Sequence, residues 1–186
     1  MIPDEDLKEG IELCWRNTKF LVDDAWTLYR RRSYGHSMAL AIIALEEFSK
    51  LWILIDADMF ADAARAGYPN ERMGHEPKVK AAFRSHKVKL ADTLEFVKGE
   101  IEEAFRKDTR VLRKVLGEAP TDEEMEDLTK SLRRLRASGL YVDYREGERW
   151  FDPNSLGLRE TALKTLRIAD WVVKITEKRR QILHGF

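Results

Sequence analysis

The feature that most constrains the fold is the segment spanning residues 35–55, GHSMALAIIALEEFSKLWILI. Apolar residues would occur on every side of this segment if it formed a helix, which is typical of a helix buried at the centre of an all-α domain. Glu46, Glu47 and Lys50 interrupt the apolar run, well short of the ~20 residues that a membrane-spanning helix needs. The segment therefore predicts a central buried helix that runs to about Ala66.

The three charged residues of this segment need an explanation, because an unpaired charge in a buried helix is costly. Lys50 follows Glu46 by four residues and Glu47 by three, so either carboxylate can reach its ammonium group. Two interpretations stay open. The three side chains pair with one another or line a thin solvated stripe, or they belong to a functional site.

Residues 4–32 predict a long first helix. Its apolar face comprises Ile11, Trp15, Thr18, Val22, Ala25, Trp26 and Tyr29. Three arginines at positions 30–32 suit the C-terminal end of the helix dipole, and a solvated helix end is a better interpretation than a phosphate contact. Tyr34-Gly35 is predicted to connect this helix to the central one, giving an antiparallel hairpin.

The rest of the chain predicts further helices and one small β element. A turn at residues 67–70 precedes a third helix that starts near Pro77, and the capping-box pattern from Thr121 to Glu124 starts a fourth that ends near Gly139. Two short aromatic and β-branched runs within residues 140–151 predict a β-hairpin or ordered loop. The last helix is predicted from about Leu158. Its apolar stripe contains Ile168, Val172, Ile175 and Ile182, with Arg179 among them.

The bulk properties narrow the function. The 33 basic and 33 acidic residues cancel, so overall charge does not indicate a nucleic-acid-binding protein. A single cysteine, Cys14, excludes an internal disulfide, and the acidic start at residues 4–6 is unlike a secretory signal. We expect one cytoplasmic domain over residues 1–186. We expect neither cofactor nor metal, because Cys14, His36, His75 and His86 are too scattered to form a ligand set.

Four short motifs carry a family resemblance. Residues 179–186, RRQILHGF, resemble the R-x4-6-H signature of HEPN domains. Residues 46–50 (EEFSK), 85–89 (SHKVK) and 139–143 (GLYVD), in this order and at this spacing, make the chain similar to the AbiV family of phage abortive-infection proteins. The resemblance implies an all-α, HEPN-like helical bundle that forms a homodimer. Together with the pattern of the chain it predicts about five long helices, with the small β-hairpin or ordered loop before the last one.

The resemblance also implies metal-independent cleavage of RNA, in which the ribose 2′-OH attacks the adjacent phosphorus. Arg179 and His184 would be the catalytic residues of this reaction. A histidine can move protons near neutral pH, and an arginine offers forked donors to the phosphate as negative charge develops. Glu46, Glu47, Lys50 and Arg180 are candidate supporting residues, and the basic patch of His86, Lys87 and Lys89 would hold the RNA backbone or meet a phage protein.

Helical geometry and the family pattern disagree on the arginine. A five-residue step turns an ideal helix by roughly 140°, so Arg180, four residues before His184, shares its face better than Arg179 does. Arg179 is preferred on the expectation that His184 lies past the last regular turn. Without the other motifs, a basic helix end that stabilises the dipole would explain these residues.

Two other functions stay open beside the ribonuclease toxin. The first is a catalytically inert HEPN-like dimer that binds a phage or host protein, whereas a phage-encoded activator protein is a candidate partner of the toxin itself. The second is a nucleotide-binding module.

Overall fold

The computed structural model describes residues 4–66, 93, 99, 140, 143–144, 150–151 and 158–184. Within these residues lie three α-helices, α1 (Asp4–Arg30), α2 (Tyr34–Arg65) and α3 (Arg159–His184). Two short strands, β1 (Asp143–Tyr144) and β2 (Trp150–Phe151), form the other regular element. The predicted all-α class is confirmed. The predicted third and fourth helices fall outside the described residues.

The predicted apolar face of α1 is confirmed as the face that enters the core. Trp15, Thr18, Val22 and Ala25 are buried, and Ile11, Trp26 and Tyr29 are partly buried against them. The one polar member is satisfied locally, because the Thr18 hydroxyl donates to the Cys14 carbonyl over 2.8 Å.

Helix α2 is central because neighbours cover several of its sides. Its largest buried side chains, Met38, Ile42, Leu45, Phe48 and Leu51, are at most 1% exposed. Helices α1 and α3 both pack against it. A third segment reaches it at Thr93, whose buried hydroxyl donates to the Leu45 carbonyl over 2.8 Å. This surrounding explains why α2 is apolar on all sides.

The connection between α1 and α2 differs from the prediction. It consists of Arg31, Arg32 and Ser33, whereas Tyr34 and Gly35 already belong to α2. Two backbone bonds close the end of α1: Ser33 N–H donates to the Leu28 carbonyl over 3.0 Å, and Arg32 N–H donates to the Tyr29 carbonyl over 2.9 Å. This pair of bonds is a Schellman motif, which requires a left-handed residue and usually has glycine there. Arg32 takes that position, with φ of 63°, so Gly35 is not needed for the turn.

Ser33 then begins α2. Its carbonyl accepts the first helical bond from Ser37 N–H at 2.9 Å, which makes it the N-cap residue. The Ser37 hydroxyl donates over 2.7 Å to the Ala25 carbonyl of α1. Ser33 therefore caps the start of α2, and Ser37 joins α2 to α1 by a hydrogen bond.

The strands form a small hairpin, as predicted. They pair antiparallel, with Asp143 opposite Phe151 and Tyr144 opposite Trp150.

Helix α3 runs antiparallel to α1. Its first residue, Arg159, lies beside Tyr29 near the end of α1, whereas Glu177 pairs with Lys19 in the middle of α1 over 3.6 Å. The predicted stripe of α3 faces the core, since Ile168 and Val172 are buried and Ile175 is partly buried against them.

Candidate functional site

The charged residues in the middle of α2 form an internal pair. The Lys50 ammonium and the Glu47 carboxylate make an ion pair one turn apart, and their side chains are 20% and 14% exposed. Glu46 is more deeply buried, at 5%. The interpretation in which these charges pair with one another is therefore confirmed for Glu47 and Lys50.

Glu47 also links α2 to α1 through Cys14. The buried thiol donates a hydrogen bond to the Glu47 carboxylate, and burial, followed by the negative charge of Glu47, raises the pKa of Cys14 from 9.0 to about 12. Lys50 opposes this shift with a smaller effect. Because the thiolate is the nucleophilic form of cysteine, Cys14 is an inert structural residue at neutral pH.

A hollow of about 400 Å³ lies over this contact, on the outer side of α1. Six residues line it: Leu13, Cys14, Arg16, Asn17, Phe20 and Glu47. Leu13 and Phe20 are 46% and 60% exposed, high fractions for large apolar side chains. Lys19, which faces α3, lies on a different side of α1. The hollow therefore combines an apolar rim with a partly buried carboxylate in its lining.

This hollow was not predicted from the sequence. Its signal was present, because Leu13 and Phe20 are large apolar residues seven positions apart and off the predicted apolar face of α1. Residues seven apart on a helix lie on one face. A second apolar stripe on an otherwise polar surface could have been read from this spacing.

The terminal motif lies at the end of α3. The backbone stays helical through His184, so the expectation that His184 lies past the last regular turn is wrong. Helical geometry consequently favours Arg180 as the partner of His184, since an ideal helix turns by about 40° over four residues and about 140° over five. The choice between Arg179 and Arg180 stays a prediction, because described side chains on α3 end at Glu177. His86, Lys87 and Lys89 lie outside the described residues.

In a comparison with known protein families, residues 6–174 match the HEPN-type family model described as AbiV. This chain belongs to the AbiV family. It is thus an abortive-infection protein of the HEPN type, as its motifs suggested, and HEPN domains commonly form dimers. The matched residues of this AbiV protein include Glu46, Glu47 and Lys50 and stop before Arg179. No curated protein and no solved structure matches the chain.

The described part of this AbiV protein contains neither a membrane-spanning helix nor a cluster of metal ligands. None of the described helices is both long and apolar enough to span a membrane. The same residues contain no group of three or more histidine, cysteine or acidic side chains arranged to hold a metal ion.

Proposed function

We propose that this AbiV-family protein is a metal-independent endoribonuclease toxin that arrests the infected cell by cleaving RNA. Membership of an abortive-infection family of the HEPN type is the observation that carries the proposal. The R-x4-H motif at residues 179–184 supplies the two side-chain types that such a reaction needs.

In the proposed reaction the ribose 2′-OH attacks the adjacent phosphorus, and the bond to the 5′-oxygen of the next nucleotide breaks. His184 moves the proton of the 2′-OH to the departing 5′-oxygen, since imidazole titrates near neutral pH. Arg179 or Arg180 donates to the phosphate oxygens as negative charge develops. The products are a 2′,3′-cyclic phosphate and a free 5′-hydroxyl, so atoms balance without water or an oxidant.

The helical backbone at His184 supports a role for Arg180 beside it. Positions 180 and 184 are one turn apart in a helix that continues through His184. Arg179 stays the family-based candidate. In a homodimer, each subunit would bring its own arginine and histidine to a shared cleft.

Glu47 and Lys50 stabilise the α1–α2 hairpin in this proposal, since their ion pair adjoins Cys14 of α1. Glu46 is retained as the candidate that orients the catalytic arginine, and His86, Lys87 and Lys89 as candidates that bind the RNA backbone or a phage protein.

The test is RNA cleavage in EDTA, with end-group analysis of the products. Wild type should leave cyclic phosphate ends, and His184→Ala should abolish cleavage while the circular dichroism spectrum is retained. Arg179→Ala and Arg180→Ala identify the functional arginine by which of them loses activity. Arg167→Ala is the matched control, because Arg167 is an exposed arginine on the same helix. Equal cleavage by wild type and His184→Ala would contradict the proposed mechanism.

The hollow on α1 favours a second function, binding of a phage or host protein by a catalytically inert dimer. An exposed apolar rim of Leu13 and Phe20 beside Arg16 has the composition of an interface centre. Under this alternative, Phe20→Ser abolishes phage protection and His184→Ala retains it. The ribonuclease proposal expects His184→Ala to abolish protection.

A further inference from the structure

Four arginines gather at one end of the described structure. Residues 30–32 contribute three at the α1–α2 turn, and Arg159, the first residue of α3, contributes the fourth beside Tyr29. All four are exposed. We call this group the arginine end.

Within the described residues, no acidic side chain forms an ion pair with the arginine end. Within the described residues, the ion pairs involve Lys19, Lys50, Lys164 and Lys174, and none involves an arginine. The first turn of α2, which starts beside this group, contains no acidic residue. The first turn of α3 contains one, Glu160, and its carboxylate pairs with Lys164 over 3.2 Å. The chain as a whole has no net charge, so the arginine end is a local excess.

Arg32 shows that the charge is placed here at a cost. It holds φ of 63° at the Schellman position, where any side chain costs roughly 1–2 kcal/mol relative to glycine. Strained residues tend to cluster at binding and catalytic sites. An arginine in a glycine position therefore points to a function for its guanidinium group.

The surroundings of the arginine end favour a polyanion over a protein partner. The exposed large apolar residues of the described structure are Leu13, Phe20 and Met59. Phe20 is about 15 Å along α1 from Arg30, and Met59 is about 37 Å along α2 from its start. A protein interface needs an apolar centre, whereas a phosphate backbone needs only charges. Arginine also suits phosphate because its fork donates two parallel hydrogen bonds.

We propose that the arginine end binds the phosphate backbone of single-stranded RNA. This contact lies about 37 Å along α3 from His184, so it is separate from the proposed cleavage site. The inference shares its ligand with the proposed function, and the arginine end would hold a distant part of the same strand.

The test measures the salt dependence of RNA binding by fluorescence anisotropy. The probe is a labelled 2′-O-methyl RNA oligonucleotide, which lacks the attacking hydroxyl and cannot be cleaved by the proposed mechanism. Each phosphate contact with a single strand contributes about 0.7 to the slope of log K against log salt. The triple variant Arg30→Gln/Arg31→Gln/Arg159→Gln should therefore lower that slope by about 2.

Two further proteins make the result specific. The matched control Lys8→Gln/Arg167→Gln/Lys174→Gln removes three exposed positive charges away from the arginine end, on α1 and α3, and should keep the wild-type slope. Arg32→Gly relieves the backbone strain, so its expected loss of about 0.7 in slope cannot be attributed to unfolding.

The inference is wrong if wild type does not bind the probe, or if the salt-dependence slope falls equally in the triple variant and in the control. A second outcome would instead indicate an acidic protein ligand. In that outcome polyglutamate displaces the RNA at equal charge concentration, and the triple variant loses affinity for polyglutamate as it does for RNA. His184→Ala should bind the RNA probe as wild type does, because the arginine end is separate from the proposed cleavage site. If the protein binds the probe through the arginine end but cleaves no RNA, the cleavage proposal fails and this inference stands.

Discussion

Replacing Arg32 with glycine should stabilise this protein. Arg32 has φ of 63°, a left-handed conformation in which the Cβ atom crowds the following carbonyl. The two backbone bonds around it, at 2.9 and 3.0 Å, need this conformation but need no side chain. Glycine therefore keeps the turn and removes the crowding.

The size of the effect follows from opposing contributions. Relief of the left-handed strain contributes about 1–2 kcal/mol. The greater freedom of glycine in the unfolded chain subtracts about 0.5–1 kcal/mol, and loss of a positive charge at the end of α1 subtracts about 0.3 kcal/mol. The net gain is about 0.5 kcal/mol in the free energy of unfolding. Arg32→Ala loses the same charge and keeps the Cβ atom, so it should be slightly destabilising.

The assay is urea unfolding followed by tryptophan fluorescence, with wild type, Arg32→Gly and Arg32→Ala compared at one protein concentration. The difference between the two variants cancels the charge effect, leaves the strain relief less the glycine entropy, and should be about 0.7 kcal/mol in favour of glycine. Arg31→Gly is the control, since Arg31 precedes the left-handed residue and glycine there should destabilise. If glycine and alanine at position 32 give equal stability, the strain argument is refuted.

Three other perturbations test the packing around α2. Ser37→Ala removes the buried bond to the Ala25 carbonyl and should cost about 1–3 kcal/mol, measured by urea unfolding; a change below 0.5 kcal/mol would contradict it. Phe48→Ala empties a fully buried position and should cost about 3–5 kcal/mol, and a thermal midpoint equal to that of wild type would rule this out. Cys14 has a folded-state pKa of about 12 against an ordinary 9.0, so the folded state prefers the protonated thiol. The contribution of Cys14 to the free energy of unfolding is complete below pH 9.0 and declines as pH rises toward 12. Cys14→Ser should therefore show a shallower decline in unfolding free energy above pH 9.0 than wild type. Parallel declines in the two proteins would exclude this linkage.

The helices were predictable from periodicity because their apolar faces are long. The predicted face of α1 is the observed one, and α2 begins at Tyr34, two residues before the predicted start. The error at the turn arose because glycine is the usual left-handed residue, and Gly35 lies close to the true connection. The sequence pattern does not distinguish Arg32 from Arg30 and Arg31, and only the backbone bonds of the folded turn show which of them is left-handed.

The candidate sites were less predictable than the helices. Spacing correctly indicated that Glu47 can reach Lys50, but it could not show that Cys14 of α1 meets the same carboxylate. The arginine end likewise depends on tertiary structure, because Arg159 is 127 residues after Arg32 in the sequence. Contacts between distant segments follow from how helices pack, and a sequence pattern describes one segment at a time.

The three-residue turn between α1 and α2 has a consequence for how the chain folds. A short closure with little loss of chain entropy allows the hairpin to form early, since contacts between near neighbours in sequence form fastest. Helix α3 follows α2 by 93 residues, so its docking carries the larger entropic cost. We expect φ-values near one for Ser37→Ala and near zero for Val172→Ala, measured by stopped-flow refolding; the reverse order would place the nucleus at α3. Of the three described helices, the one bearing Arg179 and His184 would then join last, on a hairpin that is already formed.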